Sequence, residues 1–226
     1  MTQDRPIIYS FRRCPYAMRA RLALFASQTP IELREILLRD KPDEMIAASP
    51  KATVPVLIQE DGTVLDESLD VMLWALEQAD PHNWLRKQEG DFDAILSLVQ
   101  TIDTDFKYHL DRYKYSTRYE GKEGFLGRDG HKAECEKILQ TLAERLSQHR
   151  FLFADVPCMA DYAIFPFIRQ YRIADMKDFD ANALPEVRDW LERLMGTDLF
   201  QDVMQKFDLW KQDGVAMQDR LSYKIG

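Results

Sequence analysis

The sequence has no long apolar run. Its longest uninterrupted stretch, residues 71–76, falls far short of the roughly 20 apolar residues that a membrane-spanning helix needs. Met1-Thr2-Gln3-Asp4-Arg5 leads into no apolar signal region, so a cytoplasmic protein with no membrane partner is expected. Positive charge is not in excess either. Lys and Arg number 30 against 38 Asp and Glu, giving a net charge of −8 and a pI of about 5.1, which argues against a general binder of nucleic acid or anionic membranes. Cysteine is sparse: Cys14, Cys135 and Cys158 lie far apart and no CxxC occurs, so neither a disulfide framework nor a zinc ribbon is indicated. The histidines are scattered. His131 and Cys135 could share a helix face, but two ligands do not make a site and no metal is expected. Internal repeats and low-complexity tracts are lacking.

What is present is a globular balance, 46% hydrophobic and 30% charged, in 226 residues, enough for one large domain or two small ones. The two parts read differently. Residues 7–11 form a short apolar strand, and Cys14-Pro15 then opens a helix to about Ser27, with Pro15 suited to a first helical position. Residues 31–37 read as a second strand, 43–48 as a short helix, 54–58 as a third strand and 64–65 as a fourth. The turn Glu60-Asp61-Gly62-Thr63 is a hairpin signal, since Asp-Gly tolerates the positive φ that tight turns require. A helix over 68–78 closes a small α/β domain with a mixed sheet. After a polar connection, 80–90, only helices follow. Apolar residues recur at three and four from Phe92 to Leu110 and from Cys135 to Leu146. A further helix over 160–171 is interrupted at Pro166, another starts at Pro185, and 199–207 is the last. Four of the nine glycines fall at 121, 124, 127 and 130, which predicts a loop between the first two helices of this part.

Cys14 is the sharpest chemical candidate. It follows a strand and precedes a helix, whose positive end favours a thiolate, and Arg12, Arg13 and Arg19 are close in sequence. Cys135 and Cys158 read instead as small buried hydrophobes. Pro55 at the start of a strand cannot donate to a ladder, so a bulge, an edge or a cis bond is expected; the base rate alone would leave it trans. Asp66-Glu67-Ser68 precedes a helix and reads equally as simple capping or as an anion site at the helix N-terminus.

Phe11-Arg12-Arg13-Cys14-Pro15-Tyr16, then Lys41-Pro42, Thr53-Val54-Pro55-Val56-Leu57 and Glu67-Ser68, resembles the glutathione transferase superfamily, most of all its cysteine-type branch, the omega class and its bacterial relatives. Pro157-Cys158-Met159-Ala160-Asp161-Tyr162 resembles the start of the capping-box helix in that superfamily's helical domain. The resemblance implies a thioredoxin-like α/β domain over 1–79 that binds glutathione, a linker over 80–90, and an all-α domain over 91–226 that contributes the second-substrate site. It implies that Cys14 meets the glutathione sulfur, that Pro55 is cis with Val54 pairing its backbone to the peptide, that Glu67 and Ser68 hold the γ-glutamyl end, and that Lys41 reaches the glycine carboxylate. It also implies a homodimer.

Two departures stand out. Cys158 occupies a capping position usually held by Ser or Thr, so half a capping box and a weaker helix start are expected. Ala17 stands where glutaredoxin-type sites often carry a second cysteine, so a mixed disulfide at Cys14 must be resolved by another thiol, such as a second glutathione. Residues 107–119 interleave tyrosines with Lys and Arg, and on a helix Tyr108, Arg112, Tyr115 and Tyr119 would share a face. That segment reads as a single-strand nucleic-acid surface, a solvated helix end or, in the resembled fold, a second-substrate pocket lined by Tyr108, Arg112 and Tyr115. The expected activity is glutathione-dependent thiol transfer through Cys14. The alternatives are conjugation of glutathione to small electrophiles, with Ser10 or Tyr16 as donors to its sulfur, and a non-catalytic interaction protein on the same fold.

Overall fold

The computed structural model describes residues 5–210, and their contacts group into two compact units: 5–82 together with 197–210, and 83–196. The first unit begins with β1 (Ile7–Ser10), every residue of which is buried. α1 (Pro15–Ala26) follows, then β2 (Glu32–Glu35), the short α2 (Asp43–Ala48), β3 (Val56–Ile58), β4 (Val64–Leu65) and α3 (Ser68–Gln78). The sheet runs in the order β2-β1-β3-β4. β1 pairs parallel to β2, with Tyr9 opposite Arg34, and antiparallel to β3, with Tyr9 opposite Val56. β3 and β4 are joined by the expected hairpin turn: Gly62 has φ +86 and Asp61 accepts the Thr63 N–H at 2.9 Å. This is the small mixed sheet with helices read from the sequence, and the helical part that follows completes the thioredoxin-like plus all-α architecture.

α1 is buried almost all round, with only Tyr16 partly open, because it packs on α3, on the sheet and on α10 (Asp198–Val203). A helix enclosed in this way is apolar on every face apart from residues with a specific task. The chain thus rejoins the first unit after Gly196, whereas the resemblance implies an all-α domain over 91–226. The return is anchored by backbone bonding. Leu209 bridges the outer edge of β2 at Glu35, and the Trp210 N–H donates to the Glu35 carbonyl at 2.8 Å. The edge of β2 is thereby covered where it would otherwise offer unpaired groups.

The second unit holds α4 (Phe92–Thr101), a π-helical turn (Ile102–Phe106) and α5 (Lys107–Lys114) in one continuous run. α6 (Gly127–Leu146), α7 (Met159–Ala174), α8 (Met176–Asn182) and α9 (Pro185–Met195) follow. Ile95, Val99, Ile102, Phe106, Leu110 and Tyr113 are buried, matching the three-and-four spacing. Three expectations change here. Gly127 starts α6 and Gly130 lies within it, so the glycine loop ends sooner than the spacing suggests. α7 runs unbroken through Pro166, because residues 159–168 are buried on all sides and that packing outweighs the loss of one helical hydrogen bond. The capping box of α7 is whole, not half: the Cys158 side chain caps the Asp161 N–H, and Asp161 accepts the Cys158 N–H at 2.8 Å. No helix among the described residues is long and apolar enough to cross a membrane.

Candidate active site

Cys14 is the N-cap residue of α1, with extended backbone (φ −75, ψ 124) and Pro15 as the first helical residue. Pro15 suits that position because its missing N–H would have no helical partner. The Cys14 side chain is half-buried and packs against the core cluster of Ile7, Tyr9, Val54 and Val56. Its Sγ donates to the Val54 carbonyl at 3.7 Å, and the Val54–Pro55 peptide is cis. The sequence motif that starts β3 thus comes directly against the nucleophile candidate, from 40 residues away.

The residues before Pro55 make a second cluster. Ala52 has φ +51, a left-handed conformation rarely adopted without glycine. Lys51, on one side of this bend, pairs with Asp66 at 3.1 Å and with Glu67 in a closer contact. Ser49 donates to the second oxygen of Asp66 at 2.7 Å. The Ser49 hydroxyl, and then Lys51, hold the Asp66 carboxyl below the usual carboxylate range, while the bonds to Glu67 and Asp66 raise the Lys51 ammonium. Ser68, the first residue of α3, is buried and accepts from Arg19 Nε at 3.0 Å. Arg19 is itself buried and stands over the Tyr16 ring, 5.2 Å from its centroid. Lys41 is half-buried and precedes Pro42, the N-cap of α2, after the turn in which the Asp40 N–H donates to the Leu37 carbonyl. Lys51 has no local sequence signal, and Arg19, close to Cys14 in sequence, gives its Nε–H to Ser68. Both meet their partners across long separations that only the folded sheet and α3 create.

Ser10, a donor considered for conjugation, is fully buried and accepts from the Arg21 guanidinium. That position faces the core and removes it as a donor to a bound sulfur. Among the described residues, no group of three or more His, Cys, Asp or Glu side chains could hold a metal ion.

In the second unit, Arg112 lies between two tyrosine faces, with its guanidinium carbon 3.4 Å from the Tyr108 ring centroid and 4.6 Å from that of Tyr119. Tyr115 leaves this face. It is the C-cap of α5 with non-helical backbone, and its ring takes the Arg118 guanidinium at 4.5 Å. The cluster around Arg112 therefore joins Tyr108 of α5 to Tyr119, which follows the 3-10 turn Ser116–Arg118 beyond the helix end, and not to Tyr115. Beside it, and not visible in the spacing, His109 and His131 meet Nδ1 to Nδ1 at 2.9 Å. His131 is fully buried, and its Nε2 accepts the Leu126 N–H at 3.1 Å.

Known proteins share this fold. The family model "Glutathione S-transferase, N-terminal domain" matches residues 8–84, and "Glutathione S-transferase, C-terminal domain" matches residues 120–193. The chain is 25% identical to glutathione S-transferase omega-1 of Mus musculus over 185 residues, covering 81% of this chain and 74% of the relative. Among solved structures it resembles glutathione transferase Omega 3C from Trametes versicolor, with a TM-score of 0.75, 18% identity and 92% of each chain covered. It also resembles a glutathione transferase from Pseudomonas putida with one glutathione disulfide bound per protein subunit. There the TM-score is 0.77 at 17% identity, with 89% of this chain and 91% of that one covered. At these identities the two structures speak for the fold alone.

Proposed function

The chain belongs to the glutathione transferase superfamily, and from that premise we propose that it is a glutathione-dependent thiol transferase whose nucleophile is Cys14. The observation that carries this reading is the position of Cys14: at the N-cap of α1, half-exposed, its sulfur against the carbonyl of Val54 beside cis Pro55. The N–H groups and dipole of the first turn favour the thiolate there. The backbone of Val54 pairs with the cysteinyl part of glutathione. Glu67 takes the γ-glutamyl ammonium, Ser68 with the α3 N-terminus takes the γ-glutamyl carboxylate, and Lys41 takes the glycine carboxylate.

In the reaction, the Cys14 thiolate attacks the glutathionyl sulfur of a mixed disulfide R–S–SG. The Cys14–SG bond forms, the S–S bond breaks, and the leaving thiolate takes a proton as RSH. A glutathione thiolate then attacks Cys14–SG, releasing glutathione disulfide and restoring the Cys14 thiolate. Ala17 in place of a resolving cysteine supports this route through a second glutathione. Tyr108 and Arg112, with Tyr119, offer an aromatic face to the second substrate, while Tyr115, turned to Arg118, stands off that face. The chain acts in the cytoplasm as a two-fold homodimer, without metal.

The test is paired. Thiol-transfer rate and glutathione affinity are measured in wild type and in Cys14→Ser. Transfer should vanish in the variant, because an alcohol is not ionised near neutral pH and cannot form the mixed disulfide, while affinity should largely survive. Persistent transfer removes Cys14 from the role of nucleophile. Conjugation of a general electrophile without disulfide exchange in wild type would favour the conjugating activity instead.

A further inference from the structure

Two buried charges underlie the turn that carries Cys14, and neither touches the proposed glutathione contacts. Arg21 is fully buried and lies two turns along α1. Its side chain runs back toward the helix N-terminus, as long side chains on helices do. Nη2 donates to the Arg12 carbonyl at 3.0 Å, and Nη1 donates to Ser10. Glu35, 6% exposed at the end of β2, accepts the Arg12 N–H on Oε1 at 2.7 Å. The Arg12 residue is thus gripped at both backbone groups, two residues before the nucleophile. The grip is anchored: Glu35 pairs with Ser10 in the β1–β2 ladder, and the Trp210 N–H holds its carbonyl. The Arg12 guanidinium in turn donates to the Met204 carbonyl at 3.2 Å.

As an ion pair, this is a poor one. Arg21 Nη1 and Glu35 Oε2 stand 3.9 Å apart, and Arg21 Nε and Glu35 Oε2 are buried without a hydrogen-bond partner. Unsatisfied buried charge works against stability, and a well-packed apolar pair would be expected to serve the core better. Such a local conflict is the mark of a group kept for function.

We infer that Arg21 and Glu35 are positioning residues that set, with opposite signs, how readily Cys14 ionises. The inference rests on the reading of Cys14 as the nucleophile. The Arg21 cation, bonded at the Arg12 carbonyl, favours the thiolate; the Glu35 anion, bonded at the Arg12 N–H, opposes it. Burial pushes the Arg21 guanidinium down to about 10, and the charges of Glu35 and then Cys14 push it back up, in keeping with the geometry around Arg12. Arg12 and Arg13 stand in the same turn as Cys14, the N–H groups of α1 begin beside it and, from the β3 side, the neutral Val54 carbonyl accepts from its Sγ. Balance between the two charges suits exchange chemistry. A thiolate stabilised too far loses nucleophilicity and leaves too easily, and one stabilised too little is a thiol at neutral pH.

The experiment follows the rate of alkylation by iodoacetamide against pH in the full chain: wild type, Glu35→Gln, Arg21→Met and Arg21→Lys. The thiolate sulfur forms the S–C bond and iodide leaves. Cys135 and Cys158 are buried and their thiols are pushed up by that burial, so the reactive thiol is Cys14, with Cys14→Ser as the blank. The midpoint should fall by about half a pH unit or more in Glu35→Gln, rise by a similar amount in Arg21→Met, and return toward wild type in Arg21→Lys. A purely structural brace would move the first two the same way, or neither. Unshifted or like-signed midpoints in folded variants overturn the inference. Should Arg21→Met not fold, Glu35→Gln decides alone, since glutamine keeps an oxygen for the Arg12 N–H. Opposite shifts in an enzyme without thiol transfer would leave the pair's role standing and remove the proposed function. Thiol transfer with unshifted profiles would do the reverse.

Discussion

Cys14 differs from the other two cysteines by position and not by type. Cys135 and Cys158 are fully buried and their thiols rise far above the ordinary range, whereas Cys14 is half-open at a helix start. That contrast was legible in the sequence, because Cys14 lies between Arg13 and Pro15 at a strand–helix junction. The partners of Glu67 and Ser68 were not, because Lys51 and Arg19 are 16 and 49 residues distant along the chain. Ser68 carries two tasks as a result: the proposed γ-glutamyl contact and the Arg19 bond in the core. Ser68→Ala should raise the KM for glutathione. It should also cost about 1–3 kcal/mol of stability, the price of removing an acceptor from a buried guanidinium. Glutathione titration and chemical denaturation of the same variant separate the effects, and a stability equal to wild type would mean that the Arg19 bond contributes nothing.

At the scale of elements, α7 shows how a weak local signal is reinforced by tertiary contacts. Asp161 is fully buried and accepts three N–H groups: Cys158 at 2.8 Å, Leu152 at 3.0 Å and the Trp190 indole at 2.8 Å. The first of these is the capping box that spacing predicts. The other two come from the segment before α7 and from α9. Burial pushes the Asp161 carboxyl up, and the three donors oppose that shift. Sulfur remains the poorer acceptor in the reciprocal bond. Cys158→Ser should therefore stabilise the helix start by about 0.5–1 kcal/mol, and for a chain of this size the unfolding temperature should rise by roughly 2–4 °C per kcal/mol. A lower unfolding temperature would indicate that the apolar packing of the cysteine outweighs the cap.

At the scale of the whole molecule, stability against pH depends on groups that folding holds neutral. His131 Nε2 receives the Leu126 N–H, so the proton of the neutral ring is on Nδ1 and is donated to His109 Nδ1. Desolvation lowers both histidines from 6.5. For His131 the charges of His109 and Arg112 add to this; for His109, Arg112 and Lys137 do. Glu134 opposes the shift in both, and Asp105 opposes it in His109. A folded pKa below the unfolded one means that stability is fully present above about 6.5 and is lost as pH falls through the folded value. Thermal unfolding should be flat from about pH 8 to 7 and decline below about 6.5, and His109→Gln should flatten that decline. A profile identical in the variant would exclude the pair as its source.

What the linear sequence carried was the order of elements in the α/β part, the hairpin at Asp61-Gly62, the two-part architecture and a cysteine at the start of α1. Each of these is written in local period, turn chemistry or a contiguous motif. Tertiary structure decided the rest, because the deciding contacts join distant residues. The return of 197–210 to the edge of β2, the unbroken course of α7 through Pro166, the departure of Tyr115 from its helix face and the meeting of His109 with His131 all depend on what packs alongside. The buried Arg21–Glu35 pair is the clearest case. Two charged residues without a motif of their own in the linear sequence are enclosed below the turn that carries Cys14, because the parallel pairing of β1 with β2 brings Glu35 beside Ser10, where the Arg21 side chain ends.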